Sequence, residues 1–312
     1  MPTRKSPRKG SLQFWPRKRA EKFLPSVNWS AIKSDSKKIL KGFIGYKAGM
    51  TSITVKDITP NSLTKDKKIV QPVTIIECPP MKILSVRFYK NGKVATEVLS
   101  ESTEKELRKK VKLPKKTKKI EDVKKDDFDD IKIIAYSEAK KTEIKKTPDI
   151  SEIGLSGSYD EKFNFAKENV GKEISILGNF DKGELVDIRG ITKGKGFQGP
   201  VKRFGLNLKV HKTEKGVRRP GSIGPWNPSR TTFRAPMAGQ IGLFTRVVYN
   251  SKIIDAGKSE GKFSNLKNYG KVNTDYILVR GSVQGPAKRQ LLLTRALRET
   301  KKQKKKEYEL LN

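Results

Sequence analysis

The feature that most constrains this chain is where its acids are missing. Between Ile188 and Ile254 there are 14 Lys and Arg residues and a single acid, Glu214. Residues 1–50 carry 13 basic residues against only Glu21 and Asp35. Residues 101–150, by contrast, mix 16 basic with 12 acidic residues. Charge spread for solubility alone would not segregate in this way, whereas a surface built to face a polyanion would. The whole chain carries +36 on 312 residues. So large an excess repels itself in a compact fold and attracts polyanions, nucleic acid first, because neutralising phosphates releases condensed counterions.

Other classes are disfavoured. An anionic membrane would call for an amphipathic helix with bulky apolar residues on one face, and none is evident. No run of about 18 apolar residues is present to span a bilayer. The start, MPTRKSPRKG, is basic but lacks the apolar core of a secretory signal, so the cytosol is the expected compartment. Cys78 is the only cysteine, which precludes an intrachain disulfide and fits a reducing compartment. Length suggests about two domains. Hydrophobic residues make up 34% of the chain, so much of it is expected to lie outside any core.

The local signals are mostly β. Ile83–Tyr89 and Lys93–Leu99 flank Asn91-Gly92, a favoured two-residue hairpin turn. Gly42–Ile58, Val73–Cys78, Glu173–Leu177, Glu184–Ile191, Gly242–Tyr249, Lys252–Ala256 and Thr274–Arg280 also read as short strands bounded by turn residues. Many short strands favour a barrel over a parallel sheet. Ser102–Val111 and Tyr159–Asn169 read as helices, each beginning near a capping residue. Residues 1–38, residues 192–240 and the tail KKQKKKEYELLN resist globular assignment and are expected to be ordered only against RNA. The middle one, with eight glycines and five prolines, leaves a strand-rich region and returns to it.

Within these segments several motifs have two readings. Gly194-Lys195-Gly196-Phe197-Gln198-Gly199 matches a dinucleotide-binding pattern, but Pro200 follows at once and no apolar-faced helix succeeds it. Its glycines suit close approach of backbone amides to phosphate instead. His211 is the only histidine; it lacks partners for a typical zinc site and is either a surface residue or an RNA contact. The acids of 121–130 read as a solvated face rather than a metal site. Trp226, in Ser222-Ile223-Gly224-Pro225-Trp226-Asn227-Pro228, is either a core residue or an exposed ring mounted to stack on an unpaired base. Trp15 has the same choice, the duller alternative being that Phe14 and Trp15 anchor the extension on the protein.

At these residues the chain resembles the universal ribosomal protein L-three family of the large subunit, in its archaeal/eukaryotic form. The matching segments are SPRKGSLQFWPRKRA (6–20), GFIGYKAGMT (42–51), DIRGITKGKGFQGPVKRFG (187–205), HKTEKGVRRPGSIGPWNPSR (211–230), AGQIGLFTRVVYNSKIIDAGK (238–258) and GSVQGPAKR (281–289). The resemblance implies a mostly β fold with an α/β insertion: a closed six-stranded, translation-factor-like β-barrel with an inserted α/β lobe, a long basic loop and an N-terminal extension. The expected division is an extension at 1–38, a discontinuous barrel at 39–100 and 171–290, a lobe at 101–170, the basic loop at 192–240 and a C-terminal segment and tail at 291–312.

The implied role is structural rather than enzymatic, the alternatives on the residues alone being an RNA-modifying enzyme or a general nucleic-acid-binding protein. The protein would bind large-subunit rRNA, support early assembly, contact neighbouring large-subunit proteins and reach toward the peptidyl-transferase centre. No cofactor, metal, membrane or small-molecule substrate is expected. By position, Trp226 matches the family's aromatic fingertip, and Lys209–Arg219 match the basic segment at the loop's base. The RNA contacts expected in the extension are Arg4, Lys5, Arg8, Lys9, Trp15, Arg17, Lys18 and Arg19. In the loop they are Lys193, Lys195, Lys202, Arg203, Lys209, His211, Lys212, Lys215, Arg218, Arg219, Trp226, Arg230 and Arg234. Beyond it, Arg246, Lys288 and Arg289 complete the set. One departure stands out: eukaryotic relatives carry a modified histidine at the position of Glu214, so that histidine's contacts do not transfer.

Overall fold

The computed structural model describes residues 10–32, 38–101, 104–114, 117–118, 120 and 128–311. In chain order its strands are β1 (Gly42–Asp57), β2 (Lys68–Cys78), β3 (Met81–Lys90), β4 (Lys93–Leu99), β5 (Asp130–Ser137), β6 (Ile150–Gly154), β7 (Leu185–Ile191), β8 (Gly196–Gln198), β9 (Gly239–Ile241), β10 (Thr245–Lys258), β11 (Asp275–Arg280), β12 (Gln290–Arg295) and β13 (Tyr308–Leu310). The α-helices are α1 (Tyr159–Asn169), α2 (Pro200–Phe204) and α3 (Lys301–Lys304). The chain divides into two compact units: Met1–Lys22 with Ile191–Thr245, and Phe23–Gly190 with Arg246–Asn312.

In the second unit six strands hydrogen-bond in a closed ring, in the order β12-β7-β10-β11-β2-β1, with β1 returning to β12. β13 adds to the far end of β1. The long β1–β2 ribbon shows why one end is core and the other is not. From Gly42 to Ala48 every residue of β1 is buried, and beyond Ala48 inward and outward positions alternate to Val55. β2 mirrors this, alternating first and then buried from Val73 to Cys78. Burial on both faces reads as a continuous apolar run; burial on one face reads as period two. The buried ends of both strands feed two clusters: Phe43, Ile44, Ile76 and Cys78 pack with Met81, Phe88, Ile133 and Phe163, whereas Ala48, Val73 and Ile75 pack with Ile254, Tyr276 and Leu278.

A second antiparallel sheet has the order β4-β3-β5-β6. The Asn91-Gly92 hairpin therefore belongs to this sheet and not to the ring, although it falls in the span expected to form the barrel. Both turn residues have positive φ, 50° and 72°, as the mirror-image hairpin turn requires. Helix α1 packs on the sheet, its start fixed by a reciprocal cap between Ser158 and Glu161. The expected helix at Ser102–Val111 is, in its described part, a single 3-10 turn at Lys105–Lys109. Of the acids at 121–130, residues 121–127 lie outside the described residues; Asp130 pairs with Lys162 at 2.6 Å.

Three further strand expectations change. Glu173–Leu177 makes one isolated bridge, between Ile174 and Met81, before turning into Phe180. Of Gly242–Tyr249, only Thr245 onward is strand, and it runs on through Lys252–Ala256 as one strand, β10, because Asn250 takes a left-handed conformation (φ 54°) that carries the chain through. Asn accepts that conformation more readily than most side chains. The buried Asp187 carboxylate holds the Asn250 amide at 2.8 Å and the Leu297 amide at 3.0 Å. Finally, Gln290–Arg295, read partly as a C-terminal segment, is a ring strand with Leu291, Leu292 and Leu293 fully buried.

Segments that looked ungainly in sequence are pinned by buried polar groups. Trp29 is 3% exposed and lies between Gly42 and Gly154. A β-carbon on either glycine would come within 2.6 Å of it, so only glycine leaves room for the indole. The Lys41 ammonium donates to the carbonyls of Trp29 (3.3 Å) and Ile32 (3.0 Å). Lys252 does the same for the tail, donating to Lys304 O at 3.3 Å and to Lys306 O. The tail thus has protein partners of its own, contrary to the expectation that only RNA would order it.

The loop between β1 and β2 is organised by Asp57. Its carboxylate accepts from the Thr59 amide (3.0 Å), the Ser62 hydroxyl (2.9 Å) and the Thr64 hydroxyl (2.6 Å). Burial opposes its charge, but these donors hold the carboxyl well below the usual range. Asp255 is likewise depressed: burial opposes it, and hydrogen bonds from Lys182 and Tyr276 prevail. A carboxylate with a lowered folded-state pKa contributes stability above its unfolded value, about 3.9 for Asp, and loses it as pH falls through the folded value. The thermal midpoint should therefore fall below about pH 4, and Asp57→Asn should flatten that fall. An equally steep acid limb in D57N, measured by circular dichroism, would remove Asp57 from the account.

Candidate nucleic-acid interface

The first unit combines the N-terminal segment with residues 191–245. Its base is a short ladder between β8 and β9, which pair Gly196 with Ile241 and Gln198 with Gly239. α2 begins with Pro200 in its first turn and ends at Gly205, whose φ of 66° suits a left-handed cap. The Gly-rich run 194–199 therefore opens a two-stranded ladder and a five-residue helix, which fits the sequence argument against a dinucleotide fold.

Onto this base the segment from Gly10 to Ala20 is clamped by aromatic rings and guanidinium groups. Trp15 stacks on Phe204 (centroids 6.1 Å apart) and meets Phe233 edge-on at 5.7 Å. The Arg17 guanidinium sits 4.3 Å from the Phe204 ring centre and 5.3 Å from that of Trp15. Its Nη1 donates to Arg203 O at 3.1 Å. Arg203 in turn donates to three carbonyls: Gln240 (3.1 Å), Met237 (3.0 Å) and Arg17 (3.3 Å). Burial alone lowers the pKa of Arg203. Ala20 closes the clamp through its amide to Leu243 O, 2.8 Å. Three residues expected to touch RNA thus have intramolecular work, and for Trp15 the anchoring alternative describes its contacts. Phe14, by contrast, is 56% exposed.

The rest of the loop is different in kind. From residue 206 to 238 the described backbone makes only turn-like hydrogen bonds and one crossing, Lys209 N to Val217 O at 3.0 Å. Lys18, Arg19, Lys193, Lys195 and Lys202 are exposed, as are Lys209, His211, Lys212, Lys215, Arg218, Arg219, Arg230 and Arg234. Apart from Arg234, none of these cations forms an ion pair among the described residues. Glu214, too, is exposed and has no ion-pair partner there. Trp226 is 94% exposed, which excludes a core role within this chain. A Trp ring and unpaired cations held on a turn-rich arm make a surface that can stack on bases and meet phosphates.

Arg4, Lys5, Arg8 and Lys9 lie outside the described residues. Arg246, Lys288 and Arg289 belong to the other unit. There Lys288 is exposed, whereas Arg289 is partly buried with its guanidinium 4.9 Å from the Phe23 ring centre. Gln284 donates to the carbonyls of Ile188 (2.9 Å) and Arg246 (3.1 Å), tying the 281–289 loop to β7 and β10. Phe204 and Phe233 are the residues the sequence reading missed. Their partner Trp15 lies 189 and 218 residues away in the chain, so no local pattern could mark them. Among the described residues no cluster of His, Cys, Asp or Glu could hold a metal ion, and no helix is long and apolar enough to cross a membrane.

The family model for ribosomal protein L3 matches residues 1–311. The chain belongs to the ribosomal protein L3 family. Its similarity to curated relatives runs over nearly the whole length. It is 40% identical over 309 residues to the large ribosomal subunit protein uL3 of Methanocaldococcus jannaschii, covering 94% of this chain and 91% of that one. It is 41% identical to uL3 of Methanococcus aeolicus, covering 95% and 92%, and 39% identical to uL3 of Archaeoglobus fulgidus, covering 95% and 93%. The family match spans both units, the clamp and the exposed arm alike.

Proposed function

We propose that this protein is a structural component of the large ribosomal subunit that binds rRNA through its extension–loop unit. The observation that carries the reading is the arm at 206–238, where exposed cations and a fully presented Trp226 stand on a backbone with almost no core of its own. Family membership supports it, as do the relatives' names as large-subunit proteins. On this reading the six-stranded ring is the translation-factor-like barrel and the four-stranded sheet with α1 is the inserted lobe. The protein supports early assembly, neighbours other large-subunit proteins and works in the cytoplasm. Its role is scaffolding: it turns over no substrate and needs no cofactor. Trp226 reaches toward the peptidyl-transferase centre.

The test is sedimentation of the tagged chain with large subunits at moderate salt; a chain found wholly outside such particles would sink the reading. Two variants sharpen it. Lys202→Ala and Arg218→Ala should each weaken RNA binding and flatten the log–log salt dependence, by up to about 0.9 on duplex or about 0.7 on single strands. Trp226→Ala should leave stability within about 0.5 kcal/mol of the parent yet impair peptidyl transfer in particles that contain it. A large loss of stability in W226A would show that the ring supports the fold instead.

A further inference from the structure

A second candidate for RNA lies at the opposite extreme of character from the arm, in a walled cavity of the ring unit. It measures about 490 Å³ and sits where the β1–β2 loop, the end of β11 and the C-terminal strand β13 meet. That volume falls within the range of small-ligand sites. Its apolar wall is Ile69, Val70 and Tyr308, and its cations are Arg280 and Lys306.

The two cations of the cavity are held in place without a direct ion pair among the described residues. Arg280 is held by two neutral amide oxygens, Gln71 Oε1 at 3.0 Å from Nε and Gln303 Oε1 at 3.4 Å from Nη1. Its guanidinium lies 5.4 Å from the Tyr308 ring centre. Neither Arg280 nor Lys306 forms an ion pair among the described residues. The one acid in the wall, Asp57, already accepts from Thr59, Ser62 and Thr64, so its oxygens are engaged by neutral donors of the loop. Burial lowers the pKa of Lys306, and the neighbouring charges of Arg280 and Lys302 lower it further, outweighing the opposing charge of Asp57. A guanidinium pre-oriented by amides keeps its remaining N–H groups in a fixed fork, the geometry that suits phosphate. With its oxygen turned to Arg280, Gln71 has its amide N–H donors free for an entering group.

We propose that this cavity receives a single unstacked nucleotide of an RNA strand, its phosphate on Arg280 and Lys306 and its base against Ile69, Val70 and Tyr308. An acidic protein side chain would satisfy the two cations but leave the apolar wall uncovered. A nucleotide fills both halves: phosphate for the fork, planar base for the wall. The inference rests on the rRNA-scaffold reading and adds a site that the basic arm does not contain.

The experiment uses large subunits carrying the full-length chain, irradiated with ultraviolet light and analysed by mass spectrometry for nucleotide–peptide adducts. Subunits with the Arg280→Gln, Lys306→Gln pair are treated alongside, and rRNA 2′-hydroxyl reactivity is mapped in both. The expected result is an adduct on Tyr308 or on the 57–71 hairpin. In the double variant that adduct should fall about tenfold, and a few nucleotides should gain reactivity, with incorporation into subunits unchanged. Normal incorporation with no adduct and no reactivity change would overturn the site alone. Adducts or cross-links to another protein's acidic segment would assign the cavity to that protein instead. A third arm offers adenosine monophosphate to the free full-length chain; tight binding there without any RNA adduct in subunits would point to free nucleotide and overturn the strand assignment. If the chain is absent from subunits altogether, the scaffold reading fails first and the site falls with it.

Discussion

Trp29→Ala should cost about 3–5 kcal/mol of stability, the range for truncating a buried large aromatic residue. The reason for placing it at the upper end is geometric. Trp29 is 3% exposed and bracketed by Gly42 and Gly154, two backbone positions with no side chain to move into the space left behind. The cavity would therefore relax little, and incomplete relaxation is what makes such truncations costly. The loss also loosens the carbonyl that Lys41 grips. Chemical denaturation of the full chain reads the effect directly. A cost under about 1 kcal/mol, well below that range, would mean that the segment around Trp29 docks only weakly on the ring unit.

The second large effect is expected at Arg203, through the clamp and not through phosphate. Its guanidinium donates to Gln240, Met237 and Arg17, and hydrogen bonds to charged groups contribute about 1.5–3 kcal/mol each before non-additivity is allowed for. Arg203→Ala should release the 10–20 segment and loosen the β8–β9 base, seen as faster amide exchange at Ala20 and Ile241. RNA affinity should fall because the arm is no longer pre-organised, while the salt slope stays near that of the parent. Arg203→Lys should fare nearly as badly, since an ammonium cannot span three carbonyls as a planar fork does. If Lys restored binding, or if the slope dropped by a full phosphate contact, Arg203 would be an RNA ligand after all.

What the sequence disclosed was local. The β-favouring residues bounded by turn residues over β1, the Asn-Gly turn between β3 and β4 and the capping residue at the start of α1 are short-range patterns, and each marked its element. What it hid depends on distant pairs. β12 reads as a short leucine run because both faces are buried, and such a run has no period to betray its conformation. β10 looked like two strands because the bend at Asn250 is stabilised by Asp187, more than sixty residues earlier. The tail looked like a charge run because the carbonyl-binding Lys252 lies some fifty residues upstream. The exposed arm was legible for a related reason: it makes few long-range contacts, so composition alone describes it. The clamp was not, because Trp15, Arg17 and Arg203 carry the same residue types as an RNA surface and differ only in what they touch.

The central claim is that the arm at 206–238 meets RNA and that Trp226 is its tip. A density map of large subunits containing this chain tests it most directly. The account predicts Trp226 stacked against an RNA base, with Lys209, Lys212, Lys215 and Arg218 at backbone phosphates and the Trp15–Phe204 stack intact behind them. An arm folded against a neighbouring protein, or left in solvent with Trp226 touching no nucleotide, would contradict it.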